Sequence, residues 1–177
     1  MPSYPESPPI SSDRSITDGP WQKLADFSLP STLGSEREAM ERVAQIGRES
    51  GLKPASLERL KTAVAEAALN AMEHGNHFRA ELPVRIVVLR SPTCLRVEIS
   101  DRGEQAVRFT TDRPGLPVEL AGEQSPRGWK LYLIQKMVDQ MNLTGGIGGN
   151  TIELITFLPR PGEDPSRTKP DSGATRS

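Results

Sequence analysis

The first apolar residues of the chain follow a period of two and then change to the period of a helix. Residues 23–29 alternate apolar and polar side chains with one slip in the period, which predicts a short strand with a bulge or a frayed end. From Ser35 onward the apolar side chains recur at helical spacing. Ser35 and Glu38 have the spacing of a capping box, and Gly51 is a residue type that often ends a helix. A first helix is therefore expected after the first strand.

A second helix and a hairpin are predicted next. An apolar stripe at helical spacing begins near Pro54, a residue suited to a first helical turn, and ends near His74. Residues 84–90 and 95–100 are rich in β-branched side chains that alternate with polar ones, and a short turn-like segment joins them. These two segments predict an antiparallel hairpin.

The last third of the domain combines a long loop, a helix and a second hairpin. Residues 102–127 contain several glycines and prolines with weak periodicity, and a loop of that length predicts a lid. Helical periodicity runs from Gly128 to Met141. Residues 142–144 and 151–158 flank a glycine-rich turn and predict a closing hairpin.

Together these elements predict an α/β two-layer sandwich of the α+β class, with helices on one face of a mainly antiparallel mixed sheet. Both ends of the chain, residues 1–20 and 160–177, are rich in Pro, Ser, Gly and charged residues and have little to bury. We expect them to be flexible tails. A single domain at residues 21–159 remains.

Composition narrows the function classes. Lys+Arg 22 against Asp+Glu 23 leaves a net charge of -1, which disfavours direct binding of nucleic acid. The sequence contains no apolar run near the roughly 18 residues of a membrane span and no signal-peptide core, so a cytoplasmic protein is expected. The single cysteine, Cys94, excludes an internal disulfide and a cysteine-built zinc site.

Two polar residues on the second helix are the first candidates for chemistry. Glu66 and Asn70 lie four residues apart and so share one helix face, where they are able to hold a common ligand. Taken alone, such a pair is more typical of a solvated polar face.

Two further candidates follow the hairpin. Asp101 ends a strand and Gly103 follows two residues later, so that a carboxylate acceptor lies beside a backbone position without a Cβ. Alone, this pattern is more often a simple turn. Gly128 begins the predicted third helix, where unpaired N–H groups favour an anion such as phosphate.

In combination and in this order, four segments resemble the anti-sigma factor serine/threonine kinases, which belong to the GHKL superfamily with a Bergerat-type, histidine-kinase-like ATP-binding fold. The segments are EAALNAMEHGN (66–76), DRG (101–103), RGWKLYLIQKMVD (127–139) and NTIELITF (150–157). The resemblance spans roughly residues 24–159.

The resemblance implies roles for residues at the phosphate end of an ATP site. Glu66 matches the general base that takes the proton from a substrate serine. Asn70 matches the residue that holds Mg²⁺ on the phosphates, and Gly128 matches a glycine at the end of the lid that meets them. Phosphoryl transfer requires such a base and a metal that neutralises charge.

At the adenine end, the resemblance assigns Asp101 as the carboxylate that accepts the adenine amino group. Gly103 matches its neighbour against the base, and Thr151 matches a threonine near the adenine at the start of the last strand.

One position departs from the family. Members commonly carry a second glycine two residues after the position of Gly128, where this chain has Lys130. Two alternatives follow: the Lys130 ammonium contacts the phosphates, or its bulk spoils the lid and weakens nucleotide binding.

The implied function is an ATP- and Mg²⁺-dependent kinase that binds a sigma factor and phosphorylates an anti-anti-sigma protein of the STAS type on serine, as a homodimer. The alternative is a catalytically weak or silent module that binds nucleotide and sequesters a partner protein.

Overall fold

The computed structural model describes residues 19–103 and 126–160; the expected tails and most of the expected lid lie outside these residues. Within them the chain forms five strands and three α-helices, with a π-helical turn directly after the second helix. In chain order they are β1 (Gln22–Leu29), α1 (Ser35–Glu49), α2 (Pro54–Asn70), the π-turn (Ala71–Gly75), β2 (Val84–Arg90), β3 (Cys94–Ser100), α3 (Pro126–Met137), β4 (Gln140–Gly146) and β5 (Gly149–Phe157).

The strands form one sheet in the order β1-β2-β3-β5-β4, and every neighbouring pair is antiparallel. The predicted α+β class is confirmed. Among the described strands the sheet is antiparallel throughout rather than mixed. The slip predicted in the first strand is also confirmed, because the β1–β2 register shifts between Lys23 and Ala25.

The core lies between the helices and one face of the sheet. In β2, Val84, Ile86 and Val88 are completely buried while Arg85 between them is exposed, which is the alternation expected of a sheet with one covered face. Helix α2 lies at the centre and packs against α1, α3 and the sheet. Its alanine-rich stripe, which includes Ala63 and Ala67, is fully buried and permits this close packing.

Helix α1 begins differently from the prediction. Gly34, at φ 98°, occupies the N-cap and has no side chain to offer the first-turn amides, and its own amide donates to Glu36 Oε2 at 2.7 Å, so the capping box of Ser35 and Glu38 is wrong. The C-terminal prediction is better. Gly51 has φ 84°, and the amides of Gly51 and Leu52 donate to the carbonyls of Arg48 and Gly47, the paired bonds of a Schellman motif.

The third helix runs from Pro126 to Met137. It begins two residues before the predicted start and ends four residues before the predicted end. Met141 belongs to β4, where it pairs with Leu154 of β5. The closing hairpin is longer and its turn tighter than predicted: only Ile147 and Gly148 connect β4 to β5.

Candidate functional site

The centre of the candidate site is the carboxylate of Asp101, directly after β3. Its side chain is 7% exposed. Its Oδ1 accepts hydrogen bonds from the Gly103 amide at 2.9 Å, the Asn150 amide at 3.0 Å and the Asn150 Nδ2 at 3.2 Å. Its Oδ2 receives one long bond of 3.3 Å, from the same Nδ2. One oxygen is thus held by the protein, while the other keeps most of its capacity to accept a hydrogen bond.

Three glycines surround this carboxylate and are required there by close approach. A Cβ on Gly75 would collide with the Asp101 carboxylate, and one on Gly103 would collide with the Gly75 carbonyl oxygen. Gly149, at φ 134°, lies against the Asp101 carbonyl, where a Cβ would also collide. The loop after β3, the π-turn and the start of β5 are therefore packed backbone to backbone around Asp101.

The π-turn changes the end of the second predicted helix. The regular α-helix ends at Asn70, and the Asn76 amide donates to the Ala71 carbonyl, five residues back. This wider turn brings Gly75 against Asp101. Single π-turns are frequent at functional sites, and nothing in the hydrophobic pattern predicted this one.

Asn70 and Glu66 lie on α2, one turn apart. Asn70 is 3% exposed, and its Oδ1 has no hydrogen-bond partner among the residues that the structure describes. Glu66 is half-buried. The solvated polar face that such a pair most often forms is therefore excluded for Asn70. A buried amide oxygen without a partner is costly unless a ligand satisfies it, and amide oxygen is a donor that Mg²⁺ accepts.

No group of three or more His, Cys, Asp or Glu side chains able to hold a metal ion occurs within residues 19–103 and 126–160. Mg²⁺ prefers oxygen ligands and commonly takes several of them from substrate phosphates. Asn70 together with the phosphate oxygens of a nucleotide fits that preference.

Asn76 is a positioning residue that sequence reasoning did not single out. It is fully buried; its Nδ2 donates to Ser31 Oγ at 3.0 Å and to the Leu82 carbonyl at 2.8 Å, and its Oδ1 accepts the Arg102 amide at 2.8 Å. The side chain thereby ties two loops, that of Ser31 and that of Leu82, to the residue that follows Asp101. Its place in the motif, directly after His-Gly, was the available signal.

The structure does not bring Thr151 to the Asp101 carboxylate. Thr151 is half-buried and its hydroxyl contacts Ser100 Oγ at 2.8 Å. Ile152 points into the core, so the alternation of β5 directs Thr151 to the opposite face and Asn150 to the Asp101 side. Asn150 donates to Asp101 Oδ1 from both its backbone amide and its side chain. The same alternation, readable in the sequence, was the signal that could have identified it.

Lys130 lies in the second turn of α3, and its ammonium is paired with a residue that sequence reasoning missed. Lys130 Nζ donates to Glu73 Oε2 at 2.9 Å, and His74 Nε2 lies 3.7 Å from the same oxygen. The hydrogen bond from Lys130 holds the pKa of the Glu73 carboxyl below its usual value, with further help from the charge of His74. Gly128 lies in the first turn of the same helix.

The protein has a two-layer fold, and glycines surround its buried Asp101 carboxylate. These features place it in the class of ATPase-type nucleotide-binding domains. The chain belongs to the histidine kinase-like ATPase domain family, whose model matches residues 29–156, well over half of the chain. Membership of an ATPase domain family implies ATP binding. No curated protein matches the chain.

Two solved structures share the fold. The RsbU and RsbW domains of Rv1364c from Mycobacterium tuberculosis are similar over 80% of this chain, with a TM-score of 0.57 and 19% identity; this chain spans 33% of that one. The SiaB-SiaC complex from Pseudomonas aeruginosa is similar over 75% of this chain and 89% of that chain, with a TM-score of 0.53 and 13% identity. No helix of the described residues has the length and apolar character needed to cross a membrane.

Proposed function

We propose that this protein is a cytoplasmic, homodimeric anti-sigma factor kinase, which binds a sigma factor and uses ATP to phosphorylate a STAS-type anti-anti-sigma protein on serine. The observation that carries the nucleotide part is the buried Asp101 carboxylate, with one oxygen held by three donors and the other available. The four motifs that resemble the anti-sigma kinases support the protein partners. The fold shared with an RsbW domain and with a SiaB-SiaC complex is consistent with them.

At the base end, Asp101 accepts a hydrogen bond from the adenine amino group through Oδ2. Gly75 and Gly103 carry no Cβ, which lets the π-turn and the loop after β3 pack against Asp101 and hold its carboxylate in place. Asn150 acts by holding Asp101 in place. Thr151 remains the threonine that the resemblance puts near the adenine.

At the phosphate end, Asn70 Oδ1 provides a protein ligand for Mg²⁺, which would neutralise charge on the phosphates when bound. The first turn of α3, which contains Gly128, presents backbone N–H groups to the same anions. Glu66 acts as general base: it takes the serine hydroxyl proton as the serine oxygen bonds to the γ-phosphorus and the bond to the ADP oxygen breaks.

The second candidate function, a silent module that sequesters its partner, has one observation in its favour. The Lys130 ammonium, which replaces a lid glycine, is engaged by Glu73. A phosphate-binding lid that lacks its second glycine loses one backbone contact, and the lysine compensates only if it leaves Glu73.

Phosphotransfer from labelled Mg-ATP to STAS-domain proteins of the same organism, with calorimetry of Mg-ATP and ADP binding, tests the proposal. Glu66→Gln should keep nucleotide affinity and lose about 10²- to 10⁴-fold in transfer rate. Asn70→Ala should weaken the Mg²⁺-dependent part of binding. Glu58→Gln is the matched control, because Glu58 lies exposed on the same helix and pairs only with Lys61 among the described contacts.

If Glu66→Gln transfers phosphate as fast as the wild type, the base lies elsewhere or the reaction is a different one. Nucleotide binding with no transfer to any STAS protein would favour the silent module.

A further inference from the structure

An ion pair joins the end of α2 to the start of α3. Lys130 Nζ and Glu73 Oε2 are 2.9 Å apart, and both side chains are about one third exposed, at 30% and 38%. The two residues are 57 positions apart in the chain, and α2 and α3 pack against one another. Their pairing is therefore a tertiary contact at the helix junction.

This pair lies beside the phosphate end of the proposed site. Glu73 lies within the π-turn, three residues beyond Asn70, whose buried Oδ1 has no hydrogen-bond partner among the described residues. Lys130 lies directly after the first turn of α3. That turn is also where backbone N–H groups favour an anion, and it contains no acidic residue of its own.

We propose that Glu73 is a specificity-determining residue that competes with the terminal phosphate of the nucleotide for the Lys130 ammonium. The inference rests on the proposed function. When a triphosphate binds, Lys130 exchanges its carboxylate partner for a phosphate oxygen. Glu73 acts in two ways: it holds the cation that the γ-phosphate requires, and its negative charge repels that phosphate.

The charges predict how each ligand responds. Adenosine carries no phosphate and is indifferent to the pair. ADP has less charge near the helix junction than ATP, so the competition should act most strongly on ATP. Lys130 is therefore a lid residue that aids phosphate binding, and Glu73 limits this contribution. Its side chain does not block the site.

The experiment compares Mg-ATP, Mg-ADP and adenosine binding by calorimetry to the full chain and to Glu73→Gln, Lys130→Ala and the double variant. Glu73→Gln should tighten Mg-ATP binding by about twofold to fivefold, the range that exposed charge pairs support, with a smaller gain for Mg-ADP and none for adenosine. Lys130→Ala should weaken Mg-ATP more than Mg-ADP. In the Lys130→Ala background, the gain from Glu73→Gln should shrink, and added salt should narrow all the differences.

Lys136→Ala is the matched control for the lysine, because Lys136 lies exposed on the same helix, stacked on Tyr132. Weaker Mg-ATP binding by Glu73→Gln would overturn the inference, since Glu73 would then support the metal or phosphate. Equal changes for all three ligands would also overturn it and leave the pair a structural contact. If the wild-type chain bound no nucleotide, both the proposed function and this inference would be overturned. The other outcomes overturn the inference alone, so the two failures are distinguishable.

Discussion

Replacing Asp101 by asparagine changes one oxygen of a buried carboxylate into an amide nitrogen. The structure predicts how the new side chain sits. Oδ1 receives three of the four hydrogen bonds at this carboxylate, from Gly103 and Asn150, so the asparagine carbonyl takes the Oδ1 position and keeps them. The amide nitrogen takes the Oδ2 position, where the only hydrogen bond among the described residues is the 3.3 Å bond from Asn150 Nδ2. The variant should therefore fold.

Nucleotide recognition should suffer, because a donor now faces the adenine amino group, which is itself a donor. Loss of a hydrogen bond to a charged group costs about 1.5 to 3 kcal/mol. At 1.4 kcal/mol for each tenfold, ATP affinity should fall by about 10- to 150-fold.

Calorimetry with ATP and with inosine triphosphate, which carries an oxygen acceptor in place of the amino group, reads this effect directly. The wild type should prefer ATP, and Asp101→Asn should lose or reverse that preference. Asp139→Asn is the control, since Asp139 also accepts a backbone amide, that of Phe157, but lies on the surface between α3 and β4. Equal ATP affinity and an unchanged ATP-to-inosine preference in Asp101→Asn would refute the assignment of Asp101 to the base.

Two further predictions concern the packing of the site and the stability of the sheet. Gly75→Ala should displace the Asp101 carboxylate and reduce ATP affinity at least tenfold by calorimetry. In unfolding experiments it should also cost about 1 to 3 kcal/mol through overpacking. Gly146→Ala is the control, because Gly146 has open space around it, and this variant should change neither quantity. Hydrogen bonds from Arg85 and then Lys23 hold the pKa of Asp26 well below its usual 3.8, so the stabilisation is present above that pH and is lost as the pH falls below it. Denaturant unfolding across the acid range should show a flatter decline for Asp26→Asn than for the wild type; parallel declines would contradict this.

The positions of most elements were predictable because one face of each is buried against the core. The hydrophobic period of β2 and β3 and the glycine at the end of α1 are local signals, and they were sufficient. The boundary between α3 and β4 was not predictable from local signals, because Val138 and Met141 fit both a helix and a strand. What decides it is the ladder between β4 and β5, a contact that the local period does not contain.

The residues of the candidate site likewise divide into those that were identifiable from the sequence and those that were not. Asp101 and Asn70 were identifiable because their spacing belongs to a motif, and Asn150 was identifiable from the alternation of β5. The π-turn and the Glu73–Lys130 pair were not, since each depends on how α2 meets α3 and the loop after β3 in three dimensions. The sequence shows Lys130 as a departure, but its partner is visible only in the folded chain.

The two ends of the proposed nucleotide site differ in how completely the protein satisfies its own polar groups. At the base end, Asp101 Oδ1 and Asn76 are buried and hydrogen-bonded, so Asp101 is held in place with Oδ2 left to accept adenine and recognition requires little rearrangement. At the phosphate end, Asn70 Oδ1 lacks a partner among the described residues and Lys130 is held by Glu73. Nucleotide binding at the phosphate end must therefore give the Asn70 oxygen a partner and exchange the Glu73 partner of Lys130 for a phosphate. The base end therefore supplies preorganised affinity common to ATP and ADP, and discrimination between them is left to the junction of α2 and α3.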